Sequence, residues 1–234
     1  SGIGNLTSLL ANKSGFVLAV EKDERYFPIL RDVLGGKLQA HNKTPGRGAN
    51  VKLIFGDAMT LNFQDMLKPG YKVVANIPYY ITGKIIEMLL AAKNRPAKIV
   101  LLVQKEVAER ITSKPGNLSI LGISVQLYAD AKFVALVPKE YFYPQPEVDS
   151  AILVLDMLEK PRIDVDEKKF FRLLKAAFLG KRKQIHNTLE NNLKLPESAV
   201  LAALKAAKIQ PQSRPQELSL SQWEALYKNL AESL

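Results

Sequence analysis

The sequence predicts an α/β fold: a mainly parallel sheet covered by helices, followed by a small all-α segment. Two observations carry this. Short apolar runs rich in Val, Ile and Leu (residues 16–20, 51–55, 73–75 and 99–103) alternate with stretches of helical periodicity. After Glu159 strand signals cease and only helical periodicity remains. The boundary therefore falls at 158/159, with an α/β domain over 1–158 and a helical domain over 159–234.

Each element has a local reason. Residues 16–20 (Phe-Val-Leu-Ala-Val) read as a buried strand that ends at acidic Glu21. Asp23 can cap a helix running to Leu34, and Pro28 places the start of its regular part nearby. Gly35 and Gly36 end it. Residues 41–50 are polar, carry Pro45, Gly46 and Gly48, and read as an exposed loop. Residues 51–55 form the next strand, closed by Gly56-Asp57, and residues 73–75 the third. Thr82 is expected to cap a helix through Ala92. Residues 99–103 give a fourth strand, followed by helix 105–111, the loop Lys114-Pro115-Gly116-Asn117, and helix 118–128. Residues 133–137 and 151–155 read as a late strand pair expected to form an antiparallel edge. Between them, Phe142-Tyr143-Pro144-Gln145-Pro146 is irregular, because two prolines cannot donate to a ladder. Helical patterns then cover 170–178, 184–193, 198–207 and 222–230.

Composition narrows the function. The chain is 234 residues long, 47% apolar and 24% charged, with a formal net charge of +10. A surplus of that size favours a polyanionic partner. Between Lys168 and Lys194, eight basic residues stand against Glu190 alone, leaving +7 in that stretch. Such a segment can neutralise nucleic-acid phosphates. The absence of cysteine excludes disulfides and thiolate metal sites and fits a reducing cytoplasm. No apolar run approaches the roughly 20 residues needed to span a bilayer. His41 and His186 have no metal-ligand partners at suitable spacing, so no metal is expected and both read as surface residues. The opening Ser1-Gly2-Ile3-Gly4 places a glycine turn with no strand before it and no signal peptide, and an upstream segment is expected to be missing.

Four features can carry chemistry. Gly2 and Gly4 let backbone approach a ligand at a strand-to-helix turn, although Thr7 stands where a dinucleotide fingerprint wants a third glycine. Glu21, 17 positions after Gly4, is placed to accept from ribose hydroxyls, and Asp57 from an adenine amino group. Asn76-Ile77-Pro78-Tyr79 puts an amide, a proline-fixed backbone and an aromatic face at a strand end. The amide oxygen and a carbonyl beside the proline can accept both N–H groups of a base's exocyclic amine while the ring covers its face. Phe142 offers a second aromatic wall. The glycine turn, Glu21, Asp57 and Asn76 are expected at the carboxyl edge of one sheet, where open α/β sheets bind ligands. Gln104-Lys105-Glu106 is read as structural, securing the helix that follows.

At this point the chain resembles the ribosomal RNA adenine dimethyltransferases, most closely the small-subunit enzymes. The resemblance spans nearly the whole chain. It rests on Ser1-Gly2-Ile3-Gly4-Asn5-Leu6-Thr7, Val20-Glu21, Gly56-Asp57-Ala58, Asn76-Ile77-Pro78-Tyr79, Gln104-Lys105-Glu106-Val107, the run 142–150 from Phe142 to Ser150, the run 178–183 from Phe178 to Lys183, and Arg214-Pro215-Gln216-Glu217-Leu218-Ser219. It implies a Rossmann-like methyltransferase sheet with a C-terminal helical RNA-binding domain, and S-adenosylmethionine as methyl donor. By that likeness Gly2, Gly4, Glu21, Lys22, Asp57, Ala58 and Asn76 line the cofactor. Asn76, Pro78, Tyr79 and Phe142 hold the target adenine, and Lys181, Arg182 and Lys183 grip RNA. The implied substrate is small-subunit ribosomal RNA in a 30S-type particle, methylated by a cytoplasmic monomer without membrane contact. The family motif begins with an acidic residue and a further glycine on a first strand, preceded by a short basic segment. None of these is in this sequence, and the loop from His41 to Ala49 is longer than the resemblance predicts. Two alternatives stand beside this reading: an adenine methyltransferase of large-subunit RNA or DNA, and a non-catalytic ribosome-assembly or nucleic-acid-binding protein of the same fold.

Overall fold

The computed structural model describes residues 1–39, 49–62, 66–180 and 182–234. The chain divides into two compact units, Ser1–Lys68 and Pro69–Leu234. The segment expected to be a separate helical domain shares its unit with a sheet.

In the first unit, α1 (Asn5–Ala11) follows the glycine turn, and β1 (Val17–Glu21) pairs in parallel with β2 (Val51–Phe55), Glu21 opposite Phe55. Between them α2 (Tyr26–Leu34) carries Pro28 in its first turn, where the missing N–H costs no helical bond. Leu30 and Leu34, one helical turn apart, bury against Ala11, Ala19 and Val51. The Asn50 amide donates to the carbonyls of Ala11 and Ser14, both at 2.7 Å, and so ties the strand entrance to the end of α1. The expected loop at 41–50 lies mostly outside the described residues.

The second unit holds a four-stranded sheet in the order β3 (Lys72–Asn76), β4 (Lys98–Gln104), β6 (Ser150–Met157), β5 (Ala129–Val137). β3 is parallel to β4; β6 is antiparallel to both β4 and β5. Alternation sets the register. Ile99, Leu101 and Val103 sit opposite Leu155, Leu153 and Ala151, and all six are buried. The sheets are therefore less parallel than expected, with two parallel and two antiparallel pairings among the described strands. The late strand pair is antiparallel as expected, but only β5 lies at the edge, because β6 inserts between it and β4.

Helices α3 (Thr82–Ala91), α4 (Lys105–Thr112) and α5 (Ile120–Tyr128) interleave with these strands. Ser119 caps α5 by accepting from the Gly122 N–H at 3.0 Å. Thr82 is no cap: it is the first helical residue of α3, and its buried hydroxyl has no partner among the described residues. Beyond Met157 come α6 (Glu167–Phe178), α7 (Ile185–Leu193), α8 (Glu197–Ala206) and α9 (Leu220–Leu230), with no strand among the described residues. Asp166 caps α6 through the Lys169 N–H. Phe170 meets Tyr227 edge-on at 6.0 Å, and the fully buried Trp223 stacks on Phe178 at 6.1 Å. The Arg95 guanidinium lies 4.3 Å from the Tyr128 ring centroid and pairs with Glu167 at 3.5 Å, joining the sheet part to the start of α6.

Candidate active site

Each predicted site residue lies within one unit or the other. In the first unit the strands end side by side, so the residues after β1 and β2 share one edge. The Glu21 carboxylate is nearly buried. Its Oε2 accepts from the Gly2 N–H at 2.7 Å and the Ser1 amino nitrogen at 2.8 Å, and its Oε1 from the N–H groups of Lys22 and Asp23, both at 2.9 Å. Burial pushes its pKa up, but these donors prevail and hold the carboxyl below its ordinary value. Glu21 thus closes the glycine turn onto β1. Gly2 and Gly4 have φ of +55° and +90°, and a Cβ at Gly4 would meet Leu30 Cδ2 at 2.9 Å. At Gly2 the same atom would meet nothing, so backbone there stands open.

Asp57 follows β2. Its Oδ2 accepts from Lys22 Nζ and its Oδ1 from the Met59 N–H, at 2.8 and 2.9 Å. The Lys22 ammonium, then the Met59 N–H, hold its carboxyl below the usual range. The structure therefore gathers Gly2, Glu21, Lys22 and Asp57 through a chain of contacts, with Ala58 next to Asp57. It also gives Lys22 a partner that the spacing alone does not indicate.

In the second unit Asn76 is the last residue of β3 and is exposed at the carboxyl edge. Its side chain makes no hydrogen bond among the described residues. The Pro78 carbonyl accepts from the Ile81 N–H at 3.2 Å, whereas the Ile77 carbonyl has no such partner among the described residues. Tyr79 opens a short 3₁₀ turn, Tyr79–Ile81, and is half-buried. Its hydroxyl lies 2.5 Å from Ser150 Oγ. Phe142 is half-buried in the β5–β6 loop. Gln104 opposes Ser150, which opposes Val137, so this loop lies at the sheet edge where β4 ends. Asp149 fixes the loop from behind: its carboxylate accepts from the Lys139 N–H at 3.1 Å, and its carbonyl from the Lys105 N–H at 2.9 Å.

The expectation of a single sheet edge is corrected accordingly. Glu21 closes a strand of the two-stranded sheet, with Asp57 just beyond its neighbour, whereas Asn76 closes a strand of the four-stranded one. Sequence reasoning missed Ser150 and Asp149 as supports, although both stand in the run ending at Ser150. The serine next to a strand of buried alternation was the available signal.

The basic stretch also resolves into parts. Lys168, Arg172 and Lys175 are exposed along one face of α6, opposite buried Phe170, Leu173, Leu174 and Ala177. Lys169 is turned inward to the Ala231 carbonyl at 2.7 Å. Arg182 and Lys183 are exposed; Lys181 lies outside the described residues. His186 is not a free surface residue: it is half-buried, with Nδ1 2.9 Å from the Pro211 carbonyl. His41 lies outside the described residues. No group of metal-binding side chains occurs among the described residues, and no helix there is long and apolar enough to cross a membrane. In the segment 104–106, Glu106 pairs with Arg110 one turn on, and Lys105 with Glu109, which braces α4.

Residues 1–232 match the family model described as ribosomal RNA adenine dimethylase. A ribosomal RNA small subunit methyltransferase A from Moorella thermoacetica is 37% identical over 98% of this chain and 80% of its own length. Its counterpart from Shouchella clausii is 38% identical over 98% and 79%. Among solved structures, a dimethyladenosine transferase from Plasmodium falciparum superposes with a TM-score of 0.79 at 25% identity, covering 99% of this chain and 87% of that one. The 23S rRNA methyltransferase ErmE gives 0.73 at 27% identity, covering 98% and 88%.

Proposed function

The chain belongs to the ribosomal RNA adenine dimethylase family, and on that footing we propose that it is an S-adenosylmethionine-dependent rRNA adenine dimethyltransferase. Its target is N6 of two adjacent adenosines near the 3′ end of small-subunit (16S) ribosomal RNA, in a 30S-type particle. The observation that carries this reading is the edge at Asn76: an exposed amide and a neighbouring carbonyl without partners among the described residues, beside a tyrosine whose hydroxyl is already engaged.

The residues present suit the cofactor. Glu21, the last residue of β1, and Asp57, just beyond the parallel β2, are ionised acceptors, and the open backbone at Gly2 allows close approach. In this reading the ribose hydroxyls take the place of the Ser1 amino group at Glu21, Asp57 serves the adenine amine, and Gly2, Gly4, Lys22 and Ala58 complete the wall. When bound, S-adenosylmethionine supplies an electrophilic methyl on a sulfonium.

The chain's part is to make N6 a nucleophile and hold it still. The lone pair of an adenine N6 is delocalised into the ring. Asn76 Oδ1 accepts one N6–H and the Ile77 carbonyl the other, drawing the nitrogen towards a pyramidal form whose lone pair is free to attack. Tyr79 and Phe142 cover the ring faces, and Pro78 fixes the backbone between the acceptors. Alignment of this kind can lower a barrier by roughly 7–11 kcal/mol. No strong base is required, because the alkylated nitrogen is acidic and sheds its proton readily.

We assign the helical region 159–234 to RNA phosphates, with Lys181, Arg182 and Lys183 as contacts and base selection left to the pocket. A chain without cysteine suits work in the reducing cytoplasm, and one copy carries every residue invoked here, in keeping with a monomer. The test offers small-subunit particles, naked small-subunit RNA, large-subunit RNA and DNA to the enzyme with labelled S-adenosylmethionine. Dimethyladenosine forming chiefly in the small-subunit RNA is the expected result. Preference for DNA or large-subunit RNA overturns the substrate assignment, and no methylation of any polymer overturns the catalytic reading.

A further inference from the structure

We propose that Ser150 is a positioning residue for methyl transfer, acting through the phenol of Tyr79; this rests on the reading that Tyr79 covers the target base. Ser150 is fully buried at the start of β6, with Gln104 on one side and Val137 on the other. A buried hydroxyl without a partner is destabilising, and among the described residues the partner of Ser150 Oγ is the Tyr79 hydroxyl at 2.5 Å. The tyrosine enters from a loop closed by a single 3₁₀ turn. A ring attached only at such a loop is free to swing. Pinned at its hydroxyl to the interior of a four-stranded sheet, it is held at both ends of its long axis, and the face it offers is fixed.

The neighbouring residue does the same for the other wall. Asp149 takes the Lys139 N–H and the Lys105 N–H, and thereby holds the loop that bears Phe142. The two-residue step Asp149-Ser150 therefore sets both aromatic surfaces from one rigid strand end. Neither residue needs to touch substrate.

The experiment combines Ser150→Ala, Tyr79→Phe and the double variant in a coupling cycle. Removal of a hydrogen bond of ordinary strength corresponds to a drop of about three- to tenfold in kcat/KM for RNA. Ser150→Ala should show that drop with unchanged affinity for S-adenosylmethionine. Ser150→Ala added to Tyr79→Phe should cost nothing more, because the partner hydroxyl is already gone. An equal further drop in the double variant, or full activity in Ser150→Ala, overturns the proposal. A second readout needs no RNA. The Tyr79 ring resonance in tyrosine-labelled protein, assigned by its absence in Tyr79→Phe, should shift and broaden in Ser150→Ala. An unmoved resonance overturns the anchor itself. A shifted resonance in an enzyme that methylates nothing shows instead that the catalytic reading has failed while the anchor stands.

Discussion

At the scale of single residues, Glu21 fastens the fold with the same side chain that is proposed to meet the cofactor. Its carboxylate binds the N–H groups of Gly2, Lys22 and Asp23, so the turn before α1 and the end of β1 are fastened by one ionised group. A carboxyl held below its ordinary value of 4.5 in the folded state gives up protons more readily there than when unfolded. Its contribution to stability is therefore complete above about pH 4.5 and disappears as pH falls through the lower folded value. Glu21→Gln should accordingly be less stable than the parent at pH 7, and the gap should shrink as denaturation is followed down to pH 3. A gap that stays constant over that range would show that the charge does not hold the turn. The acceptors proposed for the site, Asn76, Glu21 and Asp57, stand out in the sequence because each ends or follows an apolar run. Lys22 as the partner of Asp57, and Ser150 as the partner of Tyr79, were not, since those contacts join positions 35 and 71 residues apart.

Among elements, the reading of strands was secure where buried alternation was complete. β4 and the middle of β6 alternate because one face buries fully and the other only in part, and both were predicted with ends within two residues of the observed ones. Pairing was harder. Nothing local tells β6 to insert between β4 and β5; that follows from register between distant apolar residues. The glycine turn implied a helix after it, but the bounds of the seven-residue α1 were not legible because it has neither a side-chain cap nor acidic residues in its first turn. Thr82 looked like a cap by residue type, yet it is the first helical residue, its hydroxyl is buried without a partner among the described residues, and no side chain caps α3. The exposed face of α6 and the turn at Arg182 and Lys183 form the element proposed to grip RNA. Charge reversal of Lys181, Arg182 and Lys183 to glutamate should weaken binding and lower the slope of log affinity against log salt by about two to three, near one for each phosphate that is no longer neutralised. A salt slope identical to the parent's would remove these three residues from the interface.

For the molecule as a whole, the excess of positive charge and the order of motifs in the sequence point to a polyanion and to methyl transfer. What they left open was how the helical region is attached. Composition changes sharply at Glu159, but the chain packs across that point: Arg95, Tyr128 and Glu167 meet around one guanidinium, and Arg162 Nε donates to the Gln126 carbonyl at 2.8 Å. A boundary in sequence character need not be a boundary in packing. The central claim is that the Asn76 amide activates an adenine of ribosomal RNA rather than shaping a loop. Its most direct measurement follows label from S-adenosylmethionine into small-subunit particles with the parent and Asn76→Ala, alongside the RNA dissociation constant of each. The variant should lose methyl incorporation by at least a hundredfold, about 2.7 kcal/mol or more of transition-state stabilisation, while RNA affinity changes less than threefold. Equal loss of incorporation and RNA binding, or an active Asn76→Ala enzyme, would contradict that claim.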